Sequence, residues 1–285
     1  RSRDPIYNSL KMYSELYRNM GLLRPTEKRL EFRITNLGFS IAIDFAGDDI
    51  AQGIARECLL SMTFPNRNSE SFGIDNLRPF RWLLMLIEGL DGVITRHEII
   101  LGLLDVRDDR EIGLLDKKLK SIRKLRKMGW ADLMNAVSEV SDRANIQKNT
   151  LENYTRFPIG VLSSPVTSWA EKKTFSNLYD RNMVGVELTD FGLKTARRMS
   201  QIVDVRSSDL ENFQQTERAS FAQFAYYSML FRSGVRQDEL EVEIQRSTNS
   251  AKPLVTQFGI GSPDSFIYSP HLEESNEVLL LAESD

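Results

Sequence analysis

A polar stretch from Gln147 to Phe157 carries the side-chain types that recognise base edges in duplex DNA. Asn and Gln amides pair bidentately with adenine, Arg pairs with guanine, and Thr touches the methyl group of thymine. The stretch is predicted to begin a helix that is short or kinked around Pro158. The candidates for base contact are Gln147, Asn149, Asn153 and Arg156, with Lys148 beside them. Polar residues at a helix start also act as caps, so capping is the alternative reading of each one.

A second group of charged residues lies on a predicted helix from Glu111 to Lys127. One side of this helix is apolar at helical spacing, with Leu115, Leu119, Ile122 and Leu125. The other positions are nearly all cationic: Lys117, Lys118, Lys120, Arg123, Lys124, Arg126 and Lys127. Such a face attracts phosphates in a salt-dependent way that is independent of sequence, or else it is a solvated surface. We expect Lys117, Lys120 and Lys124 to contact DNA phosphates.

Further cations are predicted on two β-hairpins and on the first helix. The second hairpin carries Lys172, Lys173 and Arg181, and the first hairpin carries Lys28, Arg29 and Arg33. On the first helix, Asn8, Lys11 and Arg18 fall at helical spacing on the polar side. We expect these side chains to contact DNA together with the base-reading candidates.

The elements that must position these residues are marked by a phrase that occurs twice: Ile34-Thr35-Asn36-Leu37-Gly38 and Leu188-Thr189-Asp190-Phe191-Gly192. Each copy follows an alternating, strand-like segment and precedes a helix, and its Thr is suited to cap that helix. A helix and a charged hairpin arm come before each copy. Helix, hairpin, Thr turn and closing helix together describe a winged helix, whose third helix can enter the major groove while its hairpin reaches the neighbouring backbone. In the second module, the stretch from Gln147 is predicted to be this third helix. Winged helices also serve as protein-interaction modules.

The predicted fold is mainly α with small β-hairpins, as tandem winged-helix modules plus a helical C-terminal part. We place a first winged-helix-like module at 1–64, a linker at 65–77, a second winged-helix module at 78–206, and a helical, loop-rich part at 207–285. The first module lacks two of the helices that normally precede the third. It is therefore expected to be atypical or truncated.

The amino-acid composition excludes some classes of functional site. The chain has 285 residues, 41% hydrophobic content and a formal net charge of −3, which favours no particular partner. It has one cysteine, Cys58, predicted to be a core residue, and only two histidines, so cysteine zinc sites are excluded and His-based catalysis is disfavoured. No phosphate-binding glycine loop is present. Without a membrane-length apolar run of ~18 residues or a signal peptide, we expect a cytoplasmic protein, as part of a longer one.

Several stretches together resemble a known family. They are residues 78–95, Asp108-Asp109-Arg110-Glu111-Ile112, Lys148-Asn149-Thr150-Leu151 and the Leu188-Thr189 phrase. This pattern resembles the DNA-recognition half of type IIS restriction and nicking endonucleases of the AlwI kind. The resemblance covers roughly 78–198. It implies sequence-specific duplex recognition by winged modules, and magnesium-dependent cleavage by a separate nuclease domain.

The chain departs from that family in its catalytic signature, a Pro-Asp followed later by an acid, any residue and Lys, which binds a metal and activates water. Pro263-Asp264 is followed by no Lys, and Glu171-Lys172-Lys173 falls in a predicted hairpin. We therefore expect no cofactor in this chain itself, with Mg²⁺ in a nuclease domain or subunit outside it. The alternatives are a transcription regulator, a scaffold for partner proteins, or an enzyme that uses the carboxylates Asp105, Asp108, Asp109 and Glu111.

Overall fold

The computed structural model describes residues 13–25, 32–44, 47, 49–64, 77–236 and 265–269. It is mostly helical with small, mainly antiparallel sheets, which agrees with the predicted mainly-α class. Two compact units are present, one containing residues 1–73 and 202–285 and the other residues 74–201. We call them unit 1 and unit 2. The predicted division into two modules, a linker and a C-terminal part stays a prediction.

The first part of unit 1 contains the expected hairpin and a broken helix. Its elements are α1 (13–19), β1 (Leu23–Pro25), β2 (Phe32–Ile34), α2 (Asn36–Phe39), a π-helical turn (Ser40–Asp44) and α3 (Asp49–Ser61). The strands pair antiparallel, with Leu23 opposite Ile34. Gly47, which precedes α3, has a left-handed φ of 82° that a helix cannot continue through. Cys58 is fully buried in α3, and burial raises the pKa of its thiol.

Within its described residues, 77–201, unit 2 combines seven helices with one three-stranded sheet. Its elements are α4 (Pro79–Gly89), β3 (Val93–Thr95), α5 (Arg96–Ile99), a π-helical turn (Ile100–Leu104), α6 (Leu114–Met128), α7 (Trp130–Ala144), α8 (Lys148–Tyr154), α9 (Arg156–Leu162), β4 (Ala170–Leu178), β5 (Arg181–Leu188) and α10 (Asp190–Gln201). The strand order is β3-β5-β4, with both pairings antiparallel. The helix predicted from Gln147 is thus two short helices, α8 and α9. They separate at Thr155 because Pro158 has no N–H to donate to the Tyr154 carbonyl.

The core of unit 2 encloses the tip of its hairpin. Tyr179 and Asp180 form the two-residue turn between β4 and β5, both with positive φ. The side chain of Tyr179 is buried together with Met183, among residues of the π-helical turn, α7 and α8 that include Ile100, Leu133 and Leu151. The hairpin tip is therefore fixed against the helices.

The C-terminal part of unit 1 is built around one long helix. It contains β6 (Val203–Asp204), a 3₁₀ turn (Ser207–Leu210), α11 (Gln215–Arg232) and β7 (Phe266–Ile267), with β6 and β7 parallel. Phe221, Phe224 and Phe266 pack in its core. Gly234 ends the helix with a φ of 103°. A buried ion pair of 2.8 Å joins Glu57 on α3 to Arg232 on α11.

The two copies of the Thr phrase form the same hydrogen-bonded turn. The Thr35 hydroxyl accepts a hydrogen bond from the Gly38 amide at 3.0 Å and donates to the Gly21 carbonyl at 2.8 Å. In the second copy, the Thr189 hydroxyl accepts from the Gly192 amide at 3.0 Å and donates to the Ser168 carbonyl at 2.8 Å. Each Thr therefore caps the following helix and ties it to the residue that leads into the paired hairpin.

The glycine of each phrase has a steric role. A Cβ at Gly38 would collide with the carbonyl oxygen of Leu22, and a Cβ at Gly192 with that of Trp169. The residues just before those carbonyls, Gly21 and Ser168, both have left-handed φ values of 75° and 48°. The repeat in the sequence is therefore a repeat of backbone structure, and its glycines are required by close approach of the hairpin.

Candidate nucleic-acid interface

Glu98 is the centre of a buried polar network that fixes the helices and the hairpin of unit 2. It completes a capping box on α5: the Thr95 amide donates to Glu98 Oε2 at 2.8 Å, and the Glu98 amide donates to the Thr95 hydroxyl at 3.3 Å. Arg126 of α6 donates to Glu98 Oε1 at 2.7 Å, and the Tyr179 hydroxyl donates to the same oxygen at 2.8 Å. Burial and the Glu98 charge raise the pKa of Tyr179, so its phenol stays protonated as a donor.

Lys118 of the cationic block also anchors α6. Its ammonium donates to the Leu101 carbonyl at 2.8 Å, in the π-helical turn, and to the Asp105 carboxylate at 2.7 Å. Arg143 of α7 contacts the other oxygen of Asp105 at 2.6 Å. Arg123 donates to the Gly89 carbonyl at the end of α4. These contacts hold α6 in place. The sequence alone had assigned Lys118 and Arg123 to a solvated or phosphate-binding face.

The outer side of α6 carries lysines that no described residue neutralises. Lys117, Lys120, Lys124 and Lys127 are exposed, and their side chains make no hydrogen bond or ion pair with any residue the structure describes. Their spacing of three, four and three residues places them on one face, opposite the buried Ile122. At 1.5 Å per residue the row is about 15 Å long. We call it the α6 lysine row.

The polar candidates of α8 and α9 are exposed in the same way. Gln147 is the N-cap residue of α8, but its side chain forms no capping hydrogen bond. Asn149, Asn153 and Arg156 are exposed, with no side-chain partner among the described residues, and so is Lys148. The capping alternative therefore gains no support at Gln147. Asn149, Asn153 and Arg156 lie at spacings of four and three residues, on one face.

Glu152, on the same helix α8, differs from these residues because its side chain has partners. Arg96 approaches the Glu152 carboxylate at 3.6 Å and His97 at 3.5 Å, so Glu152 joins α8 to α5. The His97 ring meets Trp130 edge-on, with centroids 5.2 Å apart. Desolvation by burial lowers the pKa of His97, although Glu152 acts in the other direction. The acid of α8 is thus engaged by α5, although it lies three residues after Asn149 and four before Arg156.

The hairpin offers fewer available cations than the sequence suggests. Lys173 hydrogen-bonds to Glu187 on the neighbouring strand and lies 3.9 Å from Glu171, and the Glu187 interaction raises the pKa of Lys173. The Arg181 guanidinium lies 5.0 Å from the centre of the Trp130 ring. Lys172 is exposed, without a partner among the described residues. Lys172 is therefore the hairpin cation that is best available to a phosphate.

The candidates of unit 1 are placed only in part. Arg33 on β2 is exposed, whereas Arg18 on α1 is buried with 8% of its surface accessible. Burial removes Arg18 from a surface that could contact DNA. The remaining candidates, Asn8, Lys11, Lys28 and Arg29, lie outside the described residues.

Three of the four carboxylates considered for catalysis have structural contacts. Asp105 binds Lys118 and Arg143, Asp108 accepts from the Arg110 amide at 2.8 Å, and Asp109 accepts from the Arg78 amide at 3.0 Å. Among the described residues, no group of three or more His, Cys, Asp and Glu side chains could hold a metal ion. The Pro263-Asp264 pair lies outside the described part of the chain.

Two exposed residues were missed as candidates. Lys127 continues the α6 lysine row, which the spacing of Lys117, Lys120 and Lys124 would have shown. Phe157 lies four residues after Asn153 and eight after Asn149, and 39% of its surface is exposed. An aromatic residue at helical spacing from two amides was the available signal.

Comparison with known proteins adds no family to this description: neither the protein-family models nor the curated proteins gave a match. Among the described residues, no helix is long and apolar enough to cross a membrane.

Proposed function

We propose that unit 2 is a winged-helix module that recognises a short sequence in duplex DNA. The order of its elements supports this: helix α4, strand β3, helix α5, further helices, and then the β4–β5 hairpin, whose second strand lies between β3 and β4. We infer a winged helix from that order and sheet arrangement, with α7, α8 and α9 inserted between α6 and the hairpin. Unit 1 has the same hairpin and Thr turn, so we propose that it is a second, atypical module of the same kind, with Arg33 on its hairpin.

Helix α6 is the third helix of the proposed module. It packs closely against α4 and the π-helical turn at two glycines. A Cβ at Gly89 would meet Leu119 of α6. A Cβ at Gly102 would meet Leu86 and approach Ile122 of α6 at 3.3 Å. The sequence had suggested the stretch from Gln147 for this place. We therefore propose two surfaces with different roles, the α6 lysine row for phosphates and the exposed face of α8 and α9 for bases.

The observation that carries the proposal is the exposed face of α8 and α9. Asn149, Asn153 and Arg156 share it, and none of their side chains is used by the described part of the fold. Amide and guanidinium groups are the ones that make bidentate contacts with adenine and guanine in the major groove. The single acid of α8, Glu152, is bound by Arg96 and His97 instead. The one carboxylate beside these base-reading groups is therefore offset by a neighbouring cation, Arg96.

The α6 lysine row supplies the sequence-independent part of the proposed DNA binding. Four lysines over about 15 Å match a run of phosphates along a strand, and each phosphate contact contributes about 0.9 to the slope of log affinity against log salt. Lys172 adds a cation on the hairpin. Base contacts then select the sequence, while phosphate contacts position the protein.

On the resemblance alone, we propose that the chain is the recognition part of a type IIS restriction or nicking endonuclease. The cutting step, with Mg²⁺, would then belong to a nuclease domain or subunit outside this chain. This assignment is separable from DNA recognition, because a transcription regulator would use the same surfaces.

The test is a binding selection from randomised duplex DNA at about 0.15 M salt with magnesium present, followed by inspection of the recovered strands. One short asymmetric motif without cuts is the expected result. A palindromic motif would favour a dimeric regulator, and cut strands would place an active site within the chain. Recovery of random sequences would overturn the proposal and favour a protein scaffold.

A further inference from the structure

Phe157 lies on the same exposed face as the proposed base-reading residues. Thr155, between α8 and α9, keeps right-handed helical angles (φ −70°, ψ −16°), so side-chain directions continue from one helix to the next. Asn149, Asn153 and Phe157 therefore form a row at spacings of four residues, with Arg156 beside it. The exposed fraction of Phe157 is 39%.

The ring of Phe157 is held in place from behind. Its centroid lies 6.1 Å from that of Phe80, tilted by 58°, and Phe80 is only 1% exposed. Phe80 in turn packs against the fully buried Trp169 at 6.4 Å. One side of the Phe157 ring is thus fixed by the core while the remainder faces solvent. A ring held in this way loses little conformational entropy on binding.

The exposed part of the ring is matched to one group on DNA. Among base edges in the major groove, the C5-methyl group of thymine is the apolar one, and Phe is among the side chains that contact it. Thr155 is also of a residue type that contacts this methyl group, but it is buried, and its hydroxyl donates to the Glu152 carbonyl at 2.7 Å. Phe157 is therefore the better placed apolar group on this face.

We propose that Phe157 is a specificity-determining residue that contacts the C5-methyl group of a thymine, beside the base read by Asn153. This inference rests on the proposed function, since it needs a preferred duplex sequence. Phe157 would let the protein recognise thymine, a base that the amide and guanidinium side chains do not read.

The experiment replaces each thymine of the selected duplex in turn by deoxyuridine, which lacks only the methyl group, and measures affinity by fluorescence anisotropy. We expect one position at which the wild-type protein binds about fourfold more weakly, the effect of one buried methyl-sized group. Phe157→Ala should bind the thymine and deoxyuridine duplexes equally at that position. Tyr154→Ala, which removes another exposed ring from α8, should keep the wild-type difference.

Because each ratio compares two duplexes with one protein sample, a partly unfolded variant changes both affinities alike and leaves the ratio intact. A second measurement needs no variant: 5-iododeoxyuridine at the sensitive position is irradiated with the wild-type protein, and the cross-linked peptide is identified by mass spectrometry. Attachment at Phe157 supports the inference, and attachment elsewhere overturns it.

The outcomes distinguish the role of Phe157 from the proposed recognition of duplex DNA. A selected motif without thymine, or a motif insensitive to deoxyuridine, overturns the role of Phe157 while duplex recognition stands. A methyl effect that persists in Phe157→Ala does the same. If no sequence is selected, both proposals fail.

Discussion

The two sides of helix α6 carry the same kind of charge but differ in what they contact. On the inner side, Lys118 and Arg126 bind carboxylates and backbone carbonyls of other elements. On the outer side, the α6 lysine row has no partner among the described residues. The difference shows that residue type does not separate a structural cation from one available to a ligand. What separates them is whether the fold already supplies an acceptor.

The same contrast occurs on α8. Glu152 faces Arg96 and His97, while Asn149 and Asn153 have no described partner. Each of these helices therefore carries some polar side chains that join it to unit 2 and others that face solvent. Substitutions of the first kind should change folding, and those of the second kind should change DNA binding.

The largest effect is expected at Arg126. Arg126→Met removes the cation that binds the fully buried carboxylate of Glu98, and breaking a buried ion pair from one side costs about 3–5 kcal/mol. Urea denaturation would measure the loss in unfolding free energy. Lys127→Met, at the next position but on the outer side, is the matched control and should stay within about 0.5 kcal/mol. Equal losses would mean that the two sides of α6 do not differ.

The next effect concerns Arg156 on the exposed face of α8 and α9. Arg156→Ala should weaken binding to the selected duplex by about 1–3 kcal/mol and relax the choice of base at one position, with the unfolding free energy unchanged. Competition binding against duplexes varied at each position would show this. Arg107→Ala, also exposed in unit 2, serves as the control. An equal loss on every sequence would remove Arg156 from base reading.

The features that could be predicted from the sequence are the ones held by local hydrogen bonds. The capping box of Thr95 and Glu98 closes over three residues, and the turns at Thr35 and Thr189 repeat the same phrase. The stop at Gly234 is equally local. In each case the residue types needed for the contact are adjacent in the chain, so the pattern itself specifies the structure.

The features that could not be predicted depend on contacts between distant residues. Arg126 meets Glu98 across 28 residues, and Tyr179 meets it across 81. Helical spacing places Arg126 one turn after Ile122 and Lys127 with the outer lysines, but nothing in the sequence identifies Glu98 as the partner of Arg126. Phe157 was missed for a related reason, because its support by Phe80 depends on packing across 77 positions of the chain (157 minus 80).

A smaller, pH-dependent effect is expected at His97. Burial lowers the pKa of His97 in the folded protein below the value of about 6.5 that an unfolded chain has. The folded state therefore takes up this proton at lower pH than the unfolded state. The contribution of His97 to stability is complete above about pH 6.5 and is lost as the pH falls through the folded pKa. Below about pH 6.5, wild-type stability should decline more steeply than that of His97→Gln, measured by urea denaturation. Parallel curves would contradict the assignment.

The smallest effect is expected from a single residue of the α6 lysine row. Lys120→Ala should leave the unfolding free energy within about 0.5 kcal/mol, because Lys120 has no partner among the described residues. It should weaken binding to selected and scrambled duplexes alike, and lower the salt slope by about 0.9. Anisotropy titrations at several salt concentrations would measure both. If the slope is unchanged while Arg156→Ala still alters specificity, the outer side of α6 is a solvated surface and base recognition belongs to α8 and α9 alone.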